Sequence, residues 1–519
     1  MKIYPKRRSL EGLKKSFSFS FLRESSLIIS HPELIGFLLF PISFVASTIC
    51  LFWVLCFPNC SWAWEVKTHK ELTEQAIITN ASKLNTLLVN QLGLEGGLDA
   101  SINGGTPKAL MIQGGDKEDD GARPFGHFHD PISNAGLRPG PFDSSIKWSL
   151  QPMGEQKWSW NDAREYYSKA LTSETKAERD EQWGNTFRAL GQIMHLIQDS
   201  ANPAHVRNDP HLDLSEFIGL LGRLDVDGLH DYMARQTVAA YVGGGEISPD
   251  SSLLESGHPD GNPLGNLFDH NIFTGSNPDA TLGSNVGVAE YTNANFFSDD
   301  TIPFQPLANF PSYSYPSLSE LIPANSPFPA GRSYVMLLRL GSPSDPRARV
   351  AKYTGNQVLA KFGFGSLQYD LIGQLRLDDA VYDAYASHLI PRAVGYSAAV
   401  LDYFFRGDLR IQGSGQCYEP EFDATQFWVD FTPAYPSHYQ GGQGFTLYFQ
   451  DSNGLWVAED FIPVREGSMR LTGGYTGSPS TVRLAVVYDG PLGPAGAVEA
   501  RGIVAKAQKI TGFIDRCLQ

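Results

Sequence analysis

The sequence predicts a mostly α-helical domain followed by a smaller all-β sandwich domain. Apolar residues recur at helical spacing in several segments before residue 407, most clearly in Arg376–Phe405, which carries Val381, Tyr385, Leu389, Ala393, Val400 and Phe404. From Asp408 the period changes. Gln426–Phe431, Phe445–Gln450, Leu455–Phe461, Met469–Thr472 and Val482–Tyr488 are short alternating or β-branched runs between Gly, Pro and Asp turns. A chain of 519 residues also exceeds what one hydrophobic core usually serves. The expected boundaries are 1–63 for a leader, 64–407 for the helical domain and 408–519 for the β-sandwich.

The leader follows from charge and hydropathy. Residues 1–33 hold seven Lys/Arg against three Glu, and Leu34–Phe57 carries no charge. Asn59-Cys60-Ser61-Trp62-Ala63 then ends in the small residues that a signal peptidase requires. Cleavage after Ala63 would release a secreted or periplasmic chain beginning at Trp64. The apolar stretch is also long enough to span a bilayer, so an anchor formed by residues 34–57 stays open. Beyond the leader only Cys417 and Cys517 remain, and an oxidising compartment would let them pair. The net charge of -15 gives no electrostatic footprint for nucleic acid or an anionic membrane.

Within the helical part, Lys70–Gly93, Asn161–Thr172, Lys176–Asp199 and Leu229–Tyr241 read as helices. Pro391 is expected to break Arg376–Phe405 or to start a new helix within it. Residues 243–345 are rich in Gly, Pro, Ser and Asn, and no regular structure is expected there.

Seven of the twelve histidines fall between 69 and 230, which directs the search for chemistry to that third of the chain. Its centre is Arg188–His205, RALGQIMHLIQDSANPAH. His195 and Asp199 stand one turn apart on one helix face, an imidazole and a carboxylate able to share a metal ion. Ala201-Asn202-Pro203 ends the helix, and His205 follows just beyond it. Upstream lie Trp64 and His69. A free amino terminus at Trp64 would chelate a metal through its nitrogen and adjacent carbonyl. Asp116-Lys117-Glu118-Asp119-Asp120 and Gly126-His127-Phe128-His129-Asp130-Pro131 form an acidic turn followed by a histidine turn, a loop-borne ligand set. His211, Glu216 and His230 come after the central motif.

In this order the motifs of residues 64 to about 230 resemble the superfamily of zinc-dependent bacterial phospholipases C and fungal single-strand nucleases. The resemblance implies three zinc ions. One would be held by a loop carboxylate, His127, His195 and Asp199, and a second by Trp64 and His69 with Asp199 bridging. The third would take His205 with His211 and Glu216, with His230 as the alternative to His211. Asp119 fits the loop position best, with Asp116 as runner-up. The third site departs from the family pattern. Glu216 follows His211 one residue late, and His230 is followed by Ala234 where a carboxylate is expected.

The implied activity is phosphodiester hydrolysis by a secreted zinc enzyme, with Asp119 orienting or deprotonating the attacking water and Asp199 holding the metals. Phospholipid at a membrane surface is the expected substrate, and the acidic charge disfavours nucleic acid. A single-strand nuclease and a zinc-binding adhesion protein without catalysis are the alternatives. No protein partner is expected. The β domain resembles the membrane-docking sandwich of some phospholipase members. Trp428, Phe445, Tyr448 and Trp456 are its candidate lipid-inserting aromatics, although core packing is the expected role of most of them.

Overall fold

The computed structural model describes residues 66–138, 140–209, 228–302, 313–321, 334–342, 344–353, 375–440, 443–451, 453–477 and 481–512. Trp64, His211, Glu216, Cys517 and the whole N-terminal leader lie outside them. A helical region is followed by a β-sandwich. The helices that position the site are α1 (Val66–Thr79), α2 (Pro107–Lys117), α3 (Trp160–Thr172), α4 (Lys176–Asp199), α5 (Pro203–Val206), α6 (Val288–Asn295) and α7 (Asp379–Phe404). Among the described residues no helix is long and apolar enough to cross a membrane.

Helix α4 is the axis of the helical region. Thr175 and Glu178 close a capping box at its start, as Ser159 and Asp162 do for α3. From Ala189 onward α4 is buried on every side, because α1, α2, α3 and α7 all pack against it. The crossing of α2 with α4 is set by glycine. A Cβ at Gly114 would overlap the Arg188 carbonyl oxygen, and one at Gly191 would overlap that of Met111. Gly115 is pressed against α1, where a Cβ would meet the Thr73 hydroxyl. Backbones therefore touch where side chains would normally hold helices 8–10 Å apart.

Three helical expectations need correction: Lys70–Gly93 is divided at Asn80, into Val66–Thr79 and Ala81–Thr86 followed by a π-helical turn at Leu87–Gln91. Leu229–Tyr241 is split into Gly228–Ala234 and Ala239–Val242. Pro391 does not interrupt α7, which runs unbroken from Asp379 to Phe404. Proline removes one N–H donor from the ladder, but α7 is buried along most of its length, and that packing outweighs the lost bond. The Pro391 carbonyl is itself used, accepting from Ile247 N at 3.0 Å. The stretch expected to be irregular holds short helices and one strand, β1 (Tyr334–Met336), which pairs antiparallel with β2 (Arg349–Tyr353) beyond it, and β2 pairs in turn with β3 (Leu375–Arg376).

The sandwich comprises β4 (Leu409–Glu419), β5 (Ala424–Pro433), β6 (Gly444–Gln450), β7 (Trp456–Pro463), β8 (Met469–Thr476), β9 (Thr481–Leu492) and β10 (Glu499–Thr511). One antiparallel sheet is ordered β10-β9-β6-β7 and the other β4-β5-β8. Alternate residues fill the space between them: Phe427, Val429 and Phe431 from β5, Phe445, Leu447 and Phe449 from β6, Leu484, Val486 and Tyr488 from β9. The other face of β9 and β10 is buried as well. Ala485, Val487, Ile503 and Ala505 join the core of the helical region, with Tyr448 and Trp456 packed against the same surface. Of the candidate lipid-facing aromatics, Phe445 is therefore core and Tyr448 and Trp456 serve this junction. Cys417 is disulfide-bonded, and its partner lies outside the described residues.

A buried carboxylate pins the two parts together. Glu499, 2% exposed, accepts from Trp160 Nε1, from Arg164 Nε at 2.8 Å and Nη2 at 2.9 Å, and from Arg406. Burial pushes its pKa up, but Arg164 and Arg406 outweigh burial and hold it below the ordinary carboxylate value. Removing the carboxylate strands a buried guanidinium. Glu499→Ala is expected to cost about 3–5 kcal/mol of unfolding free energy, read from urea denaturation. A loss below about 1 kcal/mol would show that this cluster behaves like a solvent-exposed pair.

Candidate metal centre

The centre forms where α4, α1 and the loop after α2 converge. His195 and Asp199 lie on the all-buried end of α4. His69 comes from α1, and Asp119 and His127 from the loop. After Asp199 the chain turns through Ser200 and Ala201. Asn202 caps α5 by accepting from Ala204 N at 3.0 Å, with Pro203 at the first helical position, where its missing N–H is harmless. His205 is thus carried on a second short helix.

His69, His127, His195 and Asp199 are fully buried, and Asp119 nearly so. The separations between donor atoms are informative. His195 Nε2 is 3.2 Å from Asp199 Oδ2 and 3.5 Å from Asp119 Oδ1. His69 Nε2 is 3.3 Å from Asp199 Oδ1. His127 Nδ1 lies 2.8 Å from Asp199 Oδ2 and 3.7 Å from Asp119 Oδ1. A tetrahedron with bonds of about 2.0 Å has edges of about 3.3 Å, and most of these separations cluster there. Among the described residues, His69 Nε2, both ring nitrogens of His127, His195 Nε2 and all four oxygens of Asp119 and Asp199 lack a hydrogen-bond partner. Buried polar atoms are rarely left so. Nitrogen and carboxylate donors at ligand spacing fit a cation such as zinc. Two groups have this geometry among the described residues: His69 with Asp119 and His195, and His127 with His195 and Asp199.

The remaining ring nitrogens are anchored, which aims the free ones inward. His69 Nδ1 is 2.8 Å from Gln198 Oε1, and His195 Nδ1 is 2.8 Å from the Gly115 carbonyl. The Gly114–Gly191 crossing brings that carbonyl within reach. The loop carrying Asp119 is held by Glu118, which accepts from Arg123 Nε at 3.0 Å and Trp148 Nε1 at 2.8 Å. Glu118, Gln198 and Gly115 were not apparent from sequence. Glu118 sits in an acidic run where one carboxylate looks like another, and its Arg123 partner is not at helical spacing. Gln198 adjoins Asp199 in the motif, which was its one available signal.

The other expected residues are placed as follows. Asp116 faces Lys70 at 3.2 Å and lies outside both ligand groups. His205 is buried, stacked on Phe128 with ring centroids 4.5 Å apart and 6.2 Å from the His127 ring. It belongs to neither ligand group. His230 sits 3.9 Å from Asp231. His129 turns to Asp269, 2.8 Å away, while its backbone N–H donates to the His205 carbonyl.

Burial opposes charge on every group here. At His69 burial prevails, aided by the stacked His195 ring 3.5 Å away, and the pKa lies below the ordinary 6.5. At His195 burial is overcome by Asp199 and Asp119, and the pKa stands well above 6.5. Asp199 is held well below the usual carboxylate range, because His195 and the other imidazoles outweigh its burial. Without a metal, the two carboxylates favour the charged form of His195, whereas burial favours the neutral form of His69.

No family model matches the chain, and no curated protein does. Among solved structures the chain is similar to the alpha-toxin from Clostridium absonum, at 10% identity over 87% of this chain and 98% of that one, with a TM-score of 0.26. The alpha-toxin of Clostridium perfringens from avian strain SWCP gives 10% identity, 86% and 100% coverage and a TM-score of 0.23. Both are faint likenesses of layout.

Two outcomes follow from this geometry. Gly114→Ala should separate α2 from α4, costing about 1–3 kcal/mol and weakening metal binding as the Gly115 carbonyl leaves His195. Unchanged metal affinity would show that this carbonyl does not set the ring. For pH, the raised pKa of His195 gives stability that is present below 6.5 and lost as pH climbs through its folded-state value. The lowered pKa of His69 costs stability as pH drops below 6.5. Chelator-treated protein should thus melt highest near pH 6.5, and His195→Asn should flatten the alkaline limb of that curve.

Proposed function

We propose that this chain is a secreted, zinc-dependent phosphodiester hydrolase acting on phospholipid in the manner of a phospholipase C. The observation that carries the reading is the buried group of His69, Asp119, His127, His195 and Asp199, whose unpartnered atoms sit at ligand spacing. The ordered motifs from Trp64 to His205 support zinc as the metal and three as the number of ions. When bound there, zinc would polarise a phosphoryl oxygen and lower the pKa of a coordinated water.

The protein's own groups supply the rest. Asp199 presents Oδ1 towards His69 and Oδ2 towards His127 and His195, so one carboxylate serves two ligand positions. Gly115 and Gln198 fix the two imidazoles before substrate arrives. Asp119 Oδ1 stands within 3.7 Å of both His127 and His195, which supports Asp119 as the group that orients or deprotonates the attacking water. The buried surroundings exclude bulk water and strengthen each of these interactions.

Lipid is favoured over nucleic acid by the net charge of -15, which repels a polyanion. The disulfide at Cys417 and the basic-then-apolar leader support export, with cleavage near Ala63. The test is zinc content, N-terminal sequence and hydrolysis of phosphatidylcholine and single-stranded DNA by the exported protein, beside Asp199→Ala. Expected are a Trp64 terminus, bound zinc, and lipid cleavage that falls to background in Asp199→Ala. Cleavage of DNA alone would move the chain to the nuclease reading. Absence of zinc, or full activity in Asp199→Ala, would remove the basis of the proposal.

A further inference from the structure

Helix α4 carries a polar row on one face. Arg188, Gln192, His195 and Asp199 follow one another at steps of four, three and four residues, which aligns them along the helix. The loop Glu118–Arg123 lies over this row. At one end Asp119 Oδ1 is 3.5 Å from His195 Nε2. At the other end Arg188 stands in the field of Asp120, Arg123 and Glu118. Gln192 lies between these two contacts and is 1% exposed.

Among the described residues, neither polar atom of Gln192 has a hydrogen-bond partner. The same holds for Arg188 Nε, one turn earlier, and for both oxygens of Asp119. Leaving a buried amide unmade costs free energy, and native proteins rarely tolerate it without a reason. Here the unmade groups are complementary and consecutive. Arg188 Nε is a donor and Gln192 Oε1 an acceptor. Gln192 Nε2 is a donor and the Asp119 carboxylate an acceptor. Once one Asp119 oxygen is committed to a cation, the other remains buried and needs a donor. Gln192, three residues before His195 on the facing helix, has an amide nitrogen without a partner among the described residues.

We propose that Gln192 is a positioning residue for Asp119. In the metal-loaded protein Arg188 Nε donates to Gln192 Oε1, and Gln192 Nε2 donates to the Asp119 oxygen that does not ligate. The relay fixes which oxygen faces the metal and ties the acidic loop to α4. It rests on the reading of this cluster as a metal centre and adds to it a residue that is not itself a ligand.

Gln192→Leu is close in volume and removes both unpartnered atoms, so its effects on the fold and on the metal should have opposite signs. Full-length secreted protein is stripped of metal, its melting temperature recorded, and its zinc affinity measured by competition with a chromophoric chelator. Gln192→Leu should melt at the wild-type temperature or higher without metal, yet bind zinc about tenfold more weakly. Arg188→Lys keeps the charge but lacks Nε. It should weaken binding by a smaller factor, and the double variant should be no weaker than Gln192→Leu alone.

Zinc affinity within twofold of wild type in Gln192→Leu would overturn the relay and leave the metal reading intact. So would a parallel fall in affinity and in metal-free melting temperature, which marks a packing role. If Gln192→Leu does not fold, Arg188→Lys decides: unchanged affinity overturns the relay and weakened affinity supports it. Wild-type protein that binds no zinc would overturn both the relay and the centre on which it rests.

Discussion

The close approach of α2 to α4 is the constraint from which the rest of the helical region follows. Gly114 and Gly191 let two backbones meet where any side chain would collide with a carbonyl oxygen. Glycine in a helix costs roughly 0.5–1 kcal/mol relative to alanine, so three such residues in two helices signal a geometric demand. What the contact achieves is local. The last turn of α2 is brought near enough for the Gly115 carbonyl to accept from His195 Nδ1, which fixes the ring and leaves Nε2 facing the carboxylates. The loop that leaves α2 then starts at the right height to lay Asp119 and His127 over the same end of α4.

The chain handles buried carboxylates in two different ways, and the contrast identifies the site. Glu499 is surrounded by guanidinium and indole donors, and its charge is matched within the protein. Asp199 is fully buried and Asp119 nearly so, but their neighbours are imidazoles, and all four carboxylate oxygens lack a hydrogen-bond partner among the described residues. Histidine is a poor permanent counter-ion near neutral pH, since its charge is easily lost. It is a good partner for an ion that replaces the proton. A fully satisfied buried network rigidifies a junction, and an unsatisfied one marks a place where something else is to bind.

Legibility in the sequence followed periodicity and chemistry, and stopped where structure is made by contact between distant segments. His195, Asp199 and His205 were readable because a helical spacing and a proline stop define their relative positions. Lys176–Asp199 was readable from the helical spacing of its apolar residues. The acidic loop was readable only as a region. Asp119 and Asp116 are alike in type, and only the fold shows one against His195 and the other against Lys70. Glu118 and Gln198 act through partners far apart in the chain and had no pattern to betray them. Pro391 misled because local propensity favours a break, whereas the burial of α7 favours continuity. Trp64, His211 and Glu216 lie outside the described residues, so the ligand sets that use them rest on the motif pattern alone.

The same limit applied to the sandwich, and its resolution changes what that domain contributes. Strand β9 reads as an unbroken apolar run, Leu484 to Tyr488, because both of its faces are covered, one by the opposing sheet and one by the helical region. An alternating pattern would have announced a half-exposed sheet. The junction combines this apolar contact with Glu499, Arg164 and Arg406, and with Arg501 placed between Glu165 and Asp489. Such a desolvated junction does not behave like a flexible tether, because separating it would expose apolar surface and strand charges together. The sandwich therefore does more than extend the reach of the helical region. Whatever surface it meets with its outer sheet β4-β5-β8 is met at an orientation that the junction has already fixed relative to the metal centre.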